Sequence, residues 1–136
     1  MRYEIEVNSK ARTEFVDITP QVQSCIQRSG VQNGVCVVFV PHTTAAVTVN
    51  ENWDPSVKAD ILKVLDRLVP WQANYSHAEG NSAAHIKASL LGASQTLFIE
   101  GGRLALGTWQ GIFLAEFDGP RRRQVFVRVI PDVERS

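Results

Sequence analysis

Cysteine and histidine are both scarce in this chain of 136 residues, which has two of the first and three of the second. Cys25 and Cys36 form no CxxC pair. They fall in an amphipathic helix pattern and a buried strand pattern, which predicts reduced core thiols in a cytoplasmic protein. An excess of either charge is also missing, since fourteen Lys and Arg balance fourteen Asp and Glu. That balance argues against a nucleic-acid binder or a polybasic membrane-surface protein. No apolar run approaches the roughly 18 residues a membrane span requires. The start, Met1-Arg2-Tyr3-Glu4-Ile5-Glu6, alternates charge and apolarity and reads as neither a signal nor a transit peptide. Repeats, low-complexity tracts and linkers are absent, so residues 1–136 read as one domain able to bury a sizeable core.

What is present is a clear succession of periodicities. Tyr3, Ile5 and Val7 alternate with charged residues as in a half-buried strand, and Arg12 to Ile18 reads as a second strand paired with it in a hairpin. Thr19-Pro20 opens a helix with a hydroxyl cap, Val22, Cys25 and Ile26 share one face, and Gly30 closes it. Val35 to Val40 is unbroken and apolar. It is either central with both faces covered or buried against another subunit. A short return strand spans Ala46 to Val49. Asp54-Pro55 then starts a helix whose stripe of Val57, Ile61, Val64, Leu65 and Leu68 predicts the main helix packed on the sheet, ended by Pro70. A third helix follows, capped by Asn81 or Ser82 and closed by Gly92. Lys87 lies in its apolar arc with Ala83, Ile86 and Leu90, and either reaches to solvent or faces a pocket. Four strands are expected in the last third: Gln95 to Glu100, Leu104 to Gln110, Ile112 to Phe117 and Gln124 to Ile130. Gly107 and Gly111 mark a bend or a place where another group approaches the backbone. The order ββαββααββββ defines an α+β fold with a mostly antiparallel sheet.

All three histidines sit in polar, loop-like or helix-start contexts. His42 follows the apolar strand in Pro41-His42-Thr43-Thr44. His77 and His85 flank a predicted helix start that also carries Glu79, Gly80 and Asn81. Imidazole serves as a metal ligand or as an acid or base near neutral pH, so the three read as candidate metal ligands or acid–base groups. The alternative is three separate, hydrogen-bonded surface histidines. Glu79 is a fourth ligand, an orienting group, a base or a solvated loop carboxylate, and Glu51 orients a histidine, binds a cation or is a surface residue. Free N–H groups at Gly80-Asn81 would suit phosphate. Thr43, Thr44 and Lys87 are further candidates for phosphate contact. Trp109 and Gln110 are expected to line the pocket, and Asp118, Arg121 and Arg123 to hold a turn or, less simply, a phosphate.

Several segments together resemble the YjbQ-like family: Val40-Pro41-His42-Thr43-Thr44-Ala45-Ala46, Asn50-Glu51, His77-Ala78-Glu79-Gly80-Asn81, Ala84-His85-Ile86-Lys87, Gly102 through Gly111, and Glu116-Phe117-Asp118-Gly119-Pro120-Arg121. The similarity runs over nearly the whole chain in order. It implies a homotrimer whose sheets pack around a threefold axis, with a polar pocket near a subunit interface lined by His42, His77 and His85. It also implies secondary thiamine-phosphate synthase activity, in which an aminopyrimidine diphosphate and a thiazole phosphate are joined with release of pyrophosphate. That chemistry calls for a small phosphorylated ligand and a divalent metal, Zn²⁺ or Mg²⁺. Mg²⁺ prefers oxygen ligands and a three-histidine cluster suits zinc, a mismatch that fits a side activity better than a main one. Two other readings stand beside it: a hydrolase using water on a histidine-bound metal, and a non-enzymatic trimer that binds a metal or small ligand.

Overall fold

The computed structural model describes residues 2–133; Met1 and residues 134–136, the ends of the expected 1–136 domain, lie outside it. The elements run β1 (Arg2–Asn8), β2 (Glu14–Asp17), α1 (Thr19–Ser29), β3 (Gly34–Phe39), β4 (Ala45–Glu51), α2 (Pro55–Leu68), α3 (Ser82–Leu91), β5 (Ser94–Glu100), β6 (Arg103–Leu104), β7 (Gln110–Glu116) and β8 (Arg122–Pro131). This is the expected order ββαββααββββ, and every strand pairing is antiparallel. The strands form two sheets, β1-β8-β3-β5-β6 and β2-β7-β4. No helix among the described residues is long and apolar enough to cross a membrane.

Two cores follow from the alternation of side chains on β7. Ile112 and Leu114 point toward the five-stranded sheet and meet Ile5, Cys36, Val38, Val125 and Val127, with Val22 and Ile26 of α1 closing that layer. Phe113, Ala115 and Phe117 point the other way, onto Ala84 and Ala88 of α3 and the half-buried Ile61, Leu62 and Leu65 of α2. The strand covered on both faces is therefore β7. Strand β3 is central in its sheet but covered on one face only: Cys36 and Val38 are buried, while Phe39 is exposed. Across its neighbours that outer face continues through Phe98, Phe126 and Ile130, and Phe98 and Ile130 are also exposed.

The sequence-based hairpin of β1 with β2 does not form. β1 pairs with β8 and β2 with β7, so Asn8-Ser9-Lys10 carries the chain from one sheet to the other. A polar turn permits a hairpin without requiring one, and burial of the two apolar faces chose different partners. The expected strand from Leu104 to Gln110 shrinks to Arg103–Leu104, and Gly107 instead donates its N–H to the Gln110 side chain at 2.9 Å. At Gly111 the expected close approach is real: a Cβ there would lie 2.6 Å from Asn52 Nδ2. Thr19 does not cap α1. Ile18 is the cap residue, and Thr19 Oγ1 accepts the Ile112 N–H at 2.8 Å. Asp54 does cap α2, accepting the Ser56 N–H at 2.9 Å.

Helix α2 is not the main packing helix, for none of its residues is fully buried, and Val64 and Leu68 are exposed. Helix α1 has that role. Helix α3 is turned so that Ala83, Ala84, Lys87 and Ala88 are buried while Ile86 and Leu90 face outward. Small alanines let α3 lie close against Ala46 and Ala115, and Lys87 enters the interior beside the Phe117 ring, its ammonium paired with Asp66 of α2. Because Asp66 is more than half exposed, losing the lysine leaves it solvated. Lys87→Met is thus expected to change stability by about 1 kcal/mol or less in urea titration, since an apolar stem of like volume replaces a partly desolvated ion pair.

Candidate functional site

The three histidines come from separate segments and gather at one end of the three-stranded sheet. His85, on the first turns of α3, and His42, just beyond β3, line one open depression with Thr43, Ala45, Ala88 and Ser89. His77 in the preceding loop meets His85 edge-on, with ring centroids 5.6 Å apart and planes at 87°. Glu79 Oε1 stands 4.0 Å from His77 Nε2, outside hydrogen-bond distance but within reach of a side-chain rotation. The result is an imidazole pair with a carboxylate beside it and a third imidazole across the depression.

His42 is held differently from the other two. Its Nε2 accepts the backbone N–H of Gln124 at 3.0 Å. Burial lowers its pKa below the usual histidine value, and the nearby Arg123 cation lowers it further against an opposing pull from Glu116. Beneath it lies a polar cluster of which sequence reasoning named Thr44, Asp118 and Arg123 but missed Glu116 and Ser9. Glu116, with no exposed surface, receives Arg123 Nε at 2.8 Å and Nη2 at 2.5 Å, Ser9 Oγ at 2.7 Å and the Asp118 N–H at 2.9 Å. Burial alone would raise the Glu116 pKa; the bonds from Arg123, Ser9 and Asp118, with the arginine charge, hold it below the ordinary value. Arg123 also grips Thr44, through Oγ1 at 2.8 Å and the carbonyl at 3.3 Å. The available signal was a lone carboxylate inside the apolar run Ile112 to Phe117.

Other expected site residues lie elsewhere or are already engaged. Lys87 and Arg123 are buried in ion pairs, and Thr44 is bound to Arg123, so none of the three is free to cradle a phosphate. Asp118 and Arg121 hold their turn, with Arg121 Nε on the Asp118 carbonyl at 2.8 Å. Gly80 and Asn81 do precede α3, but Asn81 makes no side-chain cap. Its Nδ2 donates to Asp118 Oδ2 at 2.9 Å. Trp109 and Gln110 sit at the far end of the sheet: Ala45 pairs with Glu116, Glu51 with Gln110, and the intervening strand spans about 20 Å. There Trp109 stacks edge-on with Trp53 at 6.0 Å, and Glu51 accepts the Asp54 N–H at 3.2 Å.

This geometry sits in a recognisable chain. The family model described as "UPF0047 protein YjbQ-like" matches residues 3–132. The chain belongs to the YjbQ-like family. It is 54% identical over 132 residues to UPF0047 protein MJ1081 of Methanocaldococcus jannaschii, covering 97% of this chain and 96% of that one. It is 46% identical to UPF0047 protein YugU of Bacillus subtilis, over 93% and 96% of the two chains. A crystal structure of a family member from Clostridium acetobutylicum superposes with TM-score 0.93 at 54% identity, over 94% of this chain and 99% of that one. A YbjQ-like protein of unknown function from Sulfolobus solfataricus gives 0.93 at 36% identity, over 97% of each. Fold and family are thereby shared with UPF0047 proteins over at least 93% of this chain.

Among the described residues, no group of three or more His, Cys, Asp or Glu side chains is placed to hold a metal ion. His42 Nε2 is already occupied by a backbone donor, and the nearest carboxylate to His77 stands off at 4.0 Å. The donor set as arranged does not fit a metal, and imidazoles so placed, with Glu79 beside His77, can exchange protons and donate to anions.

The two shifted groups set an expected pH dependence. His42 and Glu116 both have folded pKa values below their ordinary 6.5 and 4.5. The unfolded chain therefore binds protons that the fold resists, and unfolding takes up protons. Stability contributed by His42 should be complete above about pH 6.5 and fall as acid approaches its folded value; Glu116 should repeat this below about pH 4.5. Urea midpoints measured from pH 8 to about pH 3 should decline in that order. A flat profile across both ranges would contradict the placement of these groups.

Proposed function

We propose that the chain is a cytoplasmic, homotrimeric acid–base enzyme for a small phosphorylated substrate, with the reaction that the resemblance implies. The observation that carries this reading is one open depression lined by His42 and His85, with His77 meeting the His85 ring edge-on. In the reaction, the thiazole nitrogen lone pair forms a bond to the pyrimidine methylene carbon. The carbon–oxygen bond breaks and its electrons leave on pyrophosphate. His77 and His85 offer N–H groups to the departing oxygens, and Glu79 is near enough to orient His77. Trimer formation is supported by the uncovered apolar face of β3 and its neighbours, where Phe39, Phe98 and Ile130 are exposed in the single chain. The hydrolase alternative needs three converged metal ligands, which the described residues do not present.

The assay combines purified chain, rigorously freed of host synthase, with both substrates in the presence and absence of Mg²⁺. Thiamine phosphate should form, and His85→Ala or His77→Ala should lower the rate by about 10²–10⁴-fold. Lys87→Met should leave the rate near wild type, because that ammonium is turned inward. Failure of the wild-type chain to form product ends this reading. Binding of the diphosphate without turnover would make the protein a ligand-binding module.

A further inference from the structure

His42 belongs to the depression, yet a backbone group commits one of its nitrogens. A backbone N–H can only donate, so the Nε2 that receives Gln124 carries no proton, and the neutral ring holds its proton on Nδ1. The reason is architectural. β3 stops at Phe39, and Pro41 prevents the ladder with β8 from continuing toward Gln124. The imidazole takes the place of the missing strand and accepts the N–H left over.

The residue beside Gln124 supplies the rest. Arg123 turns inward, is locked by two bonds to the buried Glu116, and reaches Thr44 through Oγ1 and the carbonyl. Ser9 and the Asp118 N–H fix the Glu116 carboxylate in turn. One end of β8 thus grips the His42–Thr44 corner twice, at the ring through its backbone and at Thr44 through the guanidinium.

We propose that Arg123 and Glu116 are positioning residues that hold His42 as an Nδ1–H donor, the one proton this imidazole can offer to an anionic ligand. This deepens the functional reading above, which it uses only for placing His42 in the site. His42 then acts as a fixed hydrogen-bond donor, and the acid–base work falls to His77 and His85. The Gln124 N–H selects the tautomer by holding the other nitrogen, and the buried pair keeps the His42–Thr44 corner where that bond forms.

The test is nitrogen-15 NMR of the full chain at neutral pH, where only three imidazoles contribute signals. Long-range proton–nitrogen correlations distinguish protonated from bare ring nitrogens and need no substrate or turnover. In the wild type, His42 should show a bare Nε2 and a protonated Nδ1. Thr44→Val removes the hydroxyl that Arg123 holds, leaving the longer bond to the carbonyl, and should shift the His42 tautomer ratio roughly fivefold, the scale of one weakened hydrogen bond. Thr44→Ser should restore the wild-type pattern. Arg123→Met should produce the same shift if it folds; Thr44→Val decides the matter if it does not. A protonated Nε2 on His42 in the wild type, or an unchanged ratio in Thr44→Val, overturns the proposal. Either result is independent of whether the chain makes thiamine phosphate.

Discussion

Replacing Arg123 with methionine is expected to lower the unfolding free energy by about 3–5 kcal/mol, the usual cost of stripping one partner from a buried ion pair. The size follows from what stays behind. Glu116 has no exposed surface, and both of its oxygens accept bonds from Arg123. Among the described residues, Ser9 and the Asp118 N–H remain as its other donors. The variant must therefore bury a charge that is half satisfied or protonate the carboxyl. A second substitution, Glu116→Leu in the same chain, should recover most of the loss, because an apolar pair of similar volume needs no desolvated charge. Urea unfolding at one fixed protein concentration measures both. A loss below about 1 kcal/mol in Arg123→Met would mean that water reaches Glu116.

Phe98→Asp should break the proposed trimer while sparing the fold of each protomer. Phe98 is two-thirds exposed in the single chain, so its loss removes little from either core. It lies across from Val35 on the bare face of the five-stranded sheet, in a patch with Phe39, Phe126 and Ile130. Covering each such side chain in an oligomer is worth about 1.5–3 kcal/mol, and an aspartate there must be desolvated instead. Sedimentation should show wild type as a trimer at micromolar concentration and the variant as a 15.1 kDa species. A wild-type chain that is monomeric at that concentration, and retains its ligand affinity, would remove the trimer. Val38 cannot serve this purpose. It is fully buried in the protomer's own core, so Val38→Asp would unfold the chain whatever its oligomeric state.

The candidate site was only partly legible in the sequence. The scarcity of histidine pointed to His42, His77 and His85; in the structure His42 and His85 line one depression and His77 meets the His85 ring. Glu116 and Ser9 were not found. Their partners lie on other elements, Ser9 being 107 residues from Glu116, and a lone carboxylate in an apolar run does not name the groups that hold it. Lys87 was legible as an anomaly in an apolar arc, but its direction was not. The helix could turn either its alanines or Ile86 and Leu90 toward the sheet, and the close approach to Ala46 and Ala115 selected the alanines.

Element order, strand alternation and the ends of the helices were determined by the sequence itself, since these depend on interactions within a few residues. Pro20, Gly30, Asp54 and Gly92 act on neighbouring backbone, and alternation marks a buried face whatever covers it. Partners were decided by the tertiary structure alone. Periodicity states that β1 and β2 each have an apolar face but not that one joins β8 and the other β7. It marks Val35 to Val40 as apolar throughout without telling which face the protomer covers, and it gives α2 a stripe without saying that α1 takes the core. Those choices depend on burying the largest apolar area between segments distant in the chain, a cooperative quantity that no local window contains.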